Sequence, residues 1–337
     1  MNLDGQVILV TGGTGSFGKA LARHVLGRYR PRKLIIFSRD ELKQYEMAAE
    51  FPEDRWRAIR YFLGDVRDKD RLRRAFAGVD IVIHAAALKQ VPACEYNPLE
   101  AVKTNIMGAA NLIDAAIDCG VSKVVAISTD KAVNPVNLYG ATKLCSDKLF
   151  VAANRYSGSN ATRFSVVRYG NVVGSRGSVA LLFLRRRAGG VLPVTDPRMT
   201  RFWITIEQGV AFVLESLERM TGGEIFIPQI PSMTIADLAK AIGPDCRLEI
   251  VGVRPGEKLH EVLLPEEDAR HAFEYVDRFV VYPDGRSPTA VEGEPPPRSC
   301  PEGFRYASDT NDCWLSVEDL RVMLQPFEQG FHRVGDP

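Results

Sequence analysis

Thr11-Gly12-Gly13-Thr14-Gly15-Ser16-Phe17-Gly18 follows directly on the apolar run Val7–Val10 and opens an amphipathic stretch that reaches Tyr29. Glycines spaced GxxGxxG between a first strand and a first helix meet three physical needs. They allow a tight turn, let backbone approach a pyrophosphate, and place that phosphate at a helix N-terminus. Thr14, Ser16 and Phe17 sit in the same turn and are candidates with Gly12, Gly15 and Gly18. A glycine-rich turn with no ligand would carry the same residues. Its place in the first strand–helix unit is what favours a dinucleotide site.

The same alternation continues outward. Apolar strands are expected at Lys33–Phe37, Arg57–Leu63, Asp80–His84, Lys123–Ile127 and Phe164–Arg168. Helices are expected between them, including a long one from Pro98 to Cys119 and another from Tyr139 to about Tyr156. This pattern predicts the α/β class: a Rossmann-like doubly wound parallel sheet with helices on both faces. After Gly170 glycine and proline become frequent and the elements shorten. A helix over Trp203–Leu217 and a strand over Glu224–Ile227 are expected to return to the main sheet. The resulting organisation is a dinucleotide-binding domain over 1–170, with 201–227 returning to it, and a smaller, discontinuous substrate lobe from 171–200 and 228–337. Ser287–Pro301 reads as a long loop.

The second strand runs out into Ser38-Arg39-Asp40, with Lys43 one helical turn on. An acidic residue here would bond the adenosine ribose diol and favour NAD, whereas Arg39 can clamp a 2′-phosphate and Ser38 can donate to it. The balance favours NADP; Asp40 keeps NAD open. Asp65, followed by Val66 after the third strand, is placed either to meet the adenine amino group or to cap a helix. Ala85, Ala86 and Ala87 offer small side chains where a cofactor backbone needs close approach.

The 337 residues are 45% hydrophobic and 25% charged with a net charge of +1, which gives no electrostatic footprint for nucleic acid. The six cysteines form no CxxC pair and no zinc-like spacing with histidine, so no metal is expected. No apolar run approaches the ~20 residues of a membrane span. The chain enters a strand almost at once, without a leader pattern, so a cytoplasmic protein is expected.

The chemistry gathers in Ser128-Thr129-Asp130-Lys131 and Tyr139-Gly-Ala-Thr-Lys143. Tyr139 and Lys143, at i and i+4, share one helix face, where a lysine can draw down the phenol pKa. That pair suits hydride transfer to or from an alcohol. Asp130 and Lys131 add a second acid/base pair at a strand end, which a simple dehydrogenase or epimerase does not need. Together they suggest oxidation, elimination and re-reduction on one sugar. Asp130 as a turn cap and Lys131 as a solvated side chain is the alternative. His84, in a buried strand end, reads as a core histidine.

Several stretches go beyond the general pattern: Phe37–Met47, His84–Pro92, Ser128–Lys143, Met199–Thr205, Arg254–Glu261 and Tyr306–Asn311. With the glycine turn and Tyr139-x-x-x-Lys143, the chain resembles the extended short-chain dehydrogenase/reductases. Within them it is similar to the soluble inverting UDP-N-acetylglucosamine 4,6-dehydratases that open the pseudaminic acid pathway. Retaining sugar-nucleotide dehydratases carry Asp-Glu where this chain has Asp130-Lys131, and a group with 5-epimerase behaviour has Met in place of Tyr139.

The resemblance implies tightly bound NADP, regenerated in each turnover. It implies Tyr139 as base for the C4 hydroxyl, helped by Thr129 and Lys143, with Lys143 also holding the nicotinamide ribose. Lys131 would remove the C5 proton, which requires a neutral amine, and Asp130 would protonate the departing C6 hydroxyl, which requires a raised pKa. Arg201, Arg254 and Lys258 are candidates for the UDP diphosphate. Asn171 is a candidate for phosphate or sugar, and Lys89 a weaker one that also reads as solvated. A homo-oligomer is implied, a dimer or a larger assembly up to a hexamer, pairing through helices near 98–119 and 138–156. Two rivals remain: a UDP-sugar 4-epimerase, and a catalytically inactive NADP-binding sensor.

Overall fold

The computed structural model describes residues 2–158, 162–175, 177–288 and 295–331. Six parallel strands form its centre: β1 (Val7–Thr11), β2 (Lys33–Ser38), β3 (Ile59–Leu63), β4 (Ile81–His84), β5 (Lys123–Thr129) and β6 (Arg163–Tyr169). They lie in the order β3-β2-β1-β4-β5-β6, which reverses direction of growth between β1 and β4. β1 is buried along its whole length, as a strand covered by helices on both faces must be. Register aligns Thr11 with His84 and His84 with Ala126, so β1 and β4 end at one level and β5 runs on three residues to Thr129. Ligands of open α/β sheets bind in the crevice at such a switch point, beyond the carboxyl ends of the strands.

The structure departs from the sequence reading in three ways, the first two of them beyond Gly170. Strand β7 (Asn171–Val172), strand β8 (Val191–Val194) and strand β9 (Thr200–Ile204) come first, and Trp203 is a strand residue rather than the start of a helix. The helix begins at Ile206, where Thr205 and Gln208 form a reciprocal capping box. That helix, Ile206–Arg219, and β10 (Ile225–Pro228) beside β6 belong to the main domain, whose core also takes in Phe202 and Ile204.

The second departure concerns the lobe assigned to 228–337. After β11 (Ser232–Thr234), β12 (Arg247–Ile250) and β13 (Val262–Leu264), the strands β14 (Ala272–Glu274), β15 (Arg278–Val281) and β16 (Arg298–Ser299) join the main sheet antiparallel beyond β10. Antiparallel hairpins carry no strand–helix alternation, and β10 would otherwise be an open edge. Arg298–Ser299 closes the expected 287–301 loop as a strand, while residues 289–294 lie outside the described residues.

What remains is a lobe with its own apolar core. Phe183, Leu192, Trp203, Met233 and Leu238 meet Leu320 and Leu324 of the C-terminal helix Val317–Phe331. Strand β17 (Tyr306–Ala307) pairs with β13.

The third departure is a π-helical turn, Lys103–Met107, within the rod predicted from Pro98 to Cys119. Such turns widen a helix and redirect one side chain. Here Asn105 points inward. It accepts the Leu88 N–H at 2.8 Å, donates to the Leu88 carbonyl at 2.9 Å, and donates to Thr142 Oγ1 at 3.0 Å. One amide thus ties the loop after β4 to the helix Leu138–Ala153 that carries Tyr139.

Candidate active site

The crevice is a cleft of about 640 Å³ that runs from the glycine turn to the ends of β5 and β6. Gly12 has φ +64°, and a Cβ there would lie 2.9 Å from the Ala86 backbone. The turn and the alanine loop thus approach closer than any other residue type allows. Gly15, Thr14, Ser16 and Phe17 line the cleft, as do Ala85 and Ala86. Gly18 does not. A Cβ on it would fall 2.1 Å from the Gly13 carbonyl oxygen, so its place is in packing the first helix onto the turn.

At the far end, Ser38 Oγ bonds Thr14 Oγ1 at 2.9 Å, and Ser38, Arg39 and Lys43 face the cleft. Asp40 caps the helix Glu41–Glu50 by accepting the Lys43 N–H, and pairs with Lys43 Nζ at 2.5 Å. Those hydrogen bonds hold its carboxyl below the usual range. The Arg39 side chain, 52% exposed, lies 3.7 Å from Asp65. Asp65 and Val66 line the same wall. Asp65 is no helix cap: Asp68 caps Lys69–Phe76, while Asp65 accepts the Arg67 N–H and pairs with its guanidinium at 2.7 Å. Burial raises the Asp65 pKa, and the Arg67 bonds together with the Arg67 and Arg39 charges more than reverse it.

His84 is a core residue. Its Nδ1 bonds Thr11 Oγ1 at 2.7 Å, and burial, with the charge of Lys143, pushes its pKa down to about 3.

The reacting groups lie where β5 ends. The carbonyl of Lys131 packs so close to the next helix that a Cβ on Gly140 would stand 2.1 Å from it. Thr129 Oγ1 donates to Asp130 Oδ1 at 2.8 Å, and Lys131 Nζ donates to the same oxygen at 3.1 Å. Asp130 Oδ2 is buried without a partner. Burial raises the Asp130 pKa, but Lys131 and the Thr129 bond outweigh it and the net direction is down. Burial lowers the Lys131 pKa, but Asp130 and Glu261, the latter at 3.5 Å, carry it up. The free site therefore holds a carboxylate–ammonium pair, the reverse of the neutral amine and protonated acid that the sequence argument required.

Tyr139 and Lys143 are both buried in the cleft. Burial lifts Tyr139 to about 12, opposed by the charge of Lys131 and a bond from Thr129. Burial lowers the Lys143 pKa, and Asp147 supports its charge. Asp147 stands one turn past Lys143, 1% exposed, accepts from Ser128 Oγ at 2.7 Å and lies 3.6 Å from Arg168. The i, i+4, i+8 spacing of Tyr139, Lys143 and Asp147 was a usable signal that the sequence reading passed over.

Of the substrate candidates, Asn171 and Lys89 line the cleft, and the Asn171 Oδ1 is buried without a partner. Burial and the charge of Lys131 hold the Lys89 pKa down. Thr104 and Ser178, which the sequence reading missed, add two more unpartnered hydroxyls on the lining.

Arg201, Arg254 and Lys258 are not brought to the cleft. Arg201 donates to the carbonyls of Thr200 at 2.6 Å, Lys258 at 3.0 Å and Leu259 at 3.1 Å. Lys258 Nζ donates to the Val133 carbonyl, and Arg254 is exposed. With Nη1 on the Thr200 and Leu259 carbonyls, Nη2 on the Lys258 carbonyl and Met199 Sδ, and Nε 3.8 Å from Glu261, the Arg201 guanidinium has its donors engaged away from the cleft. Among the described residues no helix is long and apolar enough to cross a membrane.

The family described as "Polysaccharide biosynthesis protein" matches residues 8–283. The inverting UDP-N-acetylglucosamine 4,6-dehydratase of Campylobacter jejuni (strain 81-176) is 54% identical over 334 residues, covering 96% of this chain and 99% of the relative. A UDP-glucose 4-epimerase of Rickettsia canadensis is 42% identical, covering 86% of this chain and 87% of its own. Among solved structures, Pen from Bacillus thuringiensis superposes with a TM-score of 0.88 at 38% identity, covering 98% of this chain and 99% of that one. The chain belongs to the polysaccharide biosynthesis protein family, as an enzyme grouped with the inverting UDP-N-acetylglucosamine 4,6-dehydratases.

Proposed function

We infer that the protein converts UDP-N-acetylglucosamine to UDP-2-acetamido-2,6-dideoxy-hexos-4-ulose with inversion at C5, using NADP. The observation that carries this reading is the Asp130–Lys131 pair set in one cleft with Tyr139 and Lys143. A 4-epimerase uses the Tyr/Lys pair and has no task for the second.

The close approach of Gly12 to Ala86 and the polar wall at Ser38 fit a dinucleotide. With Asp40 engaged as a cap and by Lys43, the group left to meet the adenosine ribose is Arg39, which supports NADP over NAD. Replacing Arg39 with alanine is expected to weaken NADP by roughly 10–100-fold, the loss of one charge-assisted hydrogen bond, and NAD by much less. Titration of both cofactors decides it, since equal losses would discard the 2′-phosphate clamp. A nicotinamide cofactor held by the glycine turn, Ser38 and Arg39 would supply a hydride acceptor for C4 and a hydride donor for C6.

The chain's own work is moving protons. Tyr139 as phenolate takes the C4 hydroxyl proton, and Lys131 and Thr129 oppose the cost of burying that charge. The ketone at C4 then acidifies C5–H. One proton shift along the 3.1 Å Lys131–Asp130 bond produces the required base and acid together. It turns the ion pair into a neutral amine and a carboxylic acid, which a site emptied of water favours. Lys131 takes the C5 proton, Asp130 protonates the C6 oxygen, water leaves, and the resting pair is restored. The proton that Tyr139 took from O4 balances the one delivered to C5 from the opposite face.

Asn171, Ser178 and Thr104, with unpartnered atoms on the lining, and Lys89 as the cation, are the proposed contacts to the nucleotide sugar. The working form is proposed to be a cytoplasmic homo-oligomer. Tyr96, Leu99 and Met107, at 87%, 69% and 51% exposure, support pairing near the helices 98–118. The downstream assignment to pseudaminic acid synthesis rests on the resemblance.

Incubation with UDP-N-acetylglucosamine in deuterated buffer tests the reaction by mass and proton NMR. Loss of one water, deuterium at C5 and a new C6 methyl signal, a singlet because the C5 hydrogen is replaced, are expected, with ring couplings reporting inversion. Unchanged mass with a shifted C4 signal would make the protein an epimerase, the reading that the Rickettsia relative's name favours.

A further inference from the structure

The acid/base pair is gripped from the second lobe by the Arg254–Glu261 segment, whose cations the sequence had suggested for substrate. Glu261, 2% exposed, lies 3.5 Å from Lys131 Nζ, 3.8 Å from Arg201 Nε and 3.6 Å from Lys258 Nζ. Two carboxylates, Asp130 and Glu261, and three cations thus form one buried ion cluster. Its anchors reach in both directions. Lys258 Nζ donates to the Val133 carbonyl, and Asn137 Nδ2 donates to the Gly256 carbonyl at 2.7 Å, so the loop 130–137 is held at its middle and at its far end. Ser308 Oγ accepts the Glu261 N–H at 2.9 Å and bonds Thr200 Oγ1 at 2.7 Å. Val133, Val262 and Ala307 pack together beneath.

Buried ion clusters contribute little net stability, because desolvation offsets the Coulomb gain. Their use here is position. Lys131 Nζ has a carboxylate on either side: Asp130 at 3.1 Å, which faces the cleft, and Glu261, which does not line it. A proton moved to Glu261 would leave Arg201 and Lys258 without a counter-charge, so the proton of Lys131 has one productive destination, Asp130. Lys89, from the loop after β4, and Tyr139, from the catalytic helix, are the other titratable groups near Lys131.

We propose that Glu261 is a positioning residue of the elimination step. It holds Lys131 at Asp130 from behind, and the Arg254–Glu261 segment braces the loop 130–137. This rests on the dehydratase reading. Glu261 touches no part of the C4 chemistry, so its loss separates oxidation from elimination.

The test is single-turnover kinetics of Glu261→Gln with UDP-N-acetylglucosamine carrying hydrogen or deuterium at C5. Nicotinamide absorbance follows oxidation and the methyl signal follows water loss. The expected result is oxidation at the normal rate, elimination slowed on the order of 100-fold by misplacement of the base, accumulation of reduced nicotinamide, and a C5 isotope effect larger than in the wild type. Equal slowing of both steps without a changed isotope effect would reduce Glu261 to general scaffolding and overturn the proposal, as would no change at all. Should that variant fail to fold, Lys258→Gln, which cuts the brace at Val133, is followed by the same two signals. Normal oxidation with slowed elimination is again expected, and equal slowing or no change again overturns the proposal. Failure of the wild type to release water would instead remove the dehydratase reading itself.

Discussion

Lys131→Ala is expected to lose water release by about 100- to 10,000-fold, the range for removing a positioned base, while C4 oxidation continues. The reason is the division of labour in the cleft. Tyr139 and Lys143 stand on the helix Leu138–Ala153, whereas Asp130 and Lys131 stand on the turn that ends β5, so the second pair can be removed with the first left in place, and losing the Lys131 charge that eases Tyr139 ionisation should slow oxidation far less than elimination. The reduced nicotinamide should therefore accumulate in the variant and carry the C4 hydrogen of the substrate. Tyr139→Phe is the control, because it should stop both steps.

Removing Lys131 also leaves Asp130 and Glu261 facing each other across a buried site with Arg201 and Lys258 as the remaining cations. Some loss of stability is expected, and retention of cofactor by the purified variant checks that the cleft survives. Undiminished dehydration by Lys131→Ala would place the C5 base elsewhere.

The parts of the site legible in the sequence are those that local geometry dictates. Gly12 to Gly18 could be read because a tight strand-to-helix turn admits few residues, and Tyr139 and Lys143 because helical spacing alone puts them on one face. The fold to Tyr169 followed from strand–helix alternation. What could not be read depended on partners distant in the chain. Arg201 is a cation in any sequence, but only the folded lobe shows three backbone carbonyls closing on its guanidinium. Glu261 meets a lysine 130 positions earlier. The charge states of Asp130 and Lys131 followed the same rule: the spacing showed that they are neighbours, not that a second carboxylate would secure the ammonium form. β14 and β15 escaped because short antiparallel strands lack the alternation that revealed the others. The π turn at Lys103–Met107 escaped because its sequence is ordinary helix, and only the bond from Asn105 to Thr142 gives it a purpose.

Arg168→Met should cost about 3–5 kcal/mol of stability at neutral pH, the usual result of removing one partner from a buried ion pair. Arg168 is 2% exposed on β6 and bridges Asp147 at 3.6 Å to Asp268 at 3.2 Å, donating also to the Leu263 carbonyl at 3.1 Å. Asp268 is partly solvated and can turn to water, but Asp147, 1% exposed with Oδ1 already unpartnered, cannot. The variant would strand its carboxylate with only Ser128 Oγ and the charge of Lys143 for support.

The pH dependence follows from the sign of the Asp147 shift. Burial raises its folded pKa above the value of the unfolded chain, against the charges of Arg168 and Lys143. Its contribution to stability is therefore fully present at low pH and is lost as pH rises through the folded value. Without Arg168 that folded value rises further, so the deficit of the variant should shrink as the pH is lowered and the carboxyl becomes neutral. Urea unfolding of wild type and Arg168→Met between neutral and mildly acid pH measures it. Arg168→Met combined with Asp147→Asn should recover part of the loss, because the stranded charge is gone. A deficit that is small, or that stays constant with pH, would mean that water reaches Asp147, and with it the floor beneath Lys143.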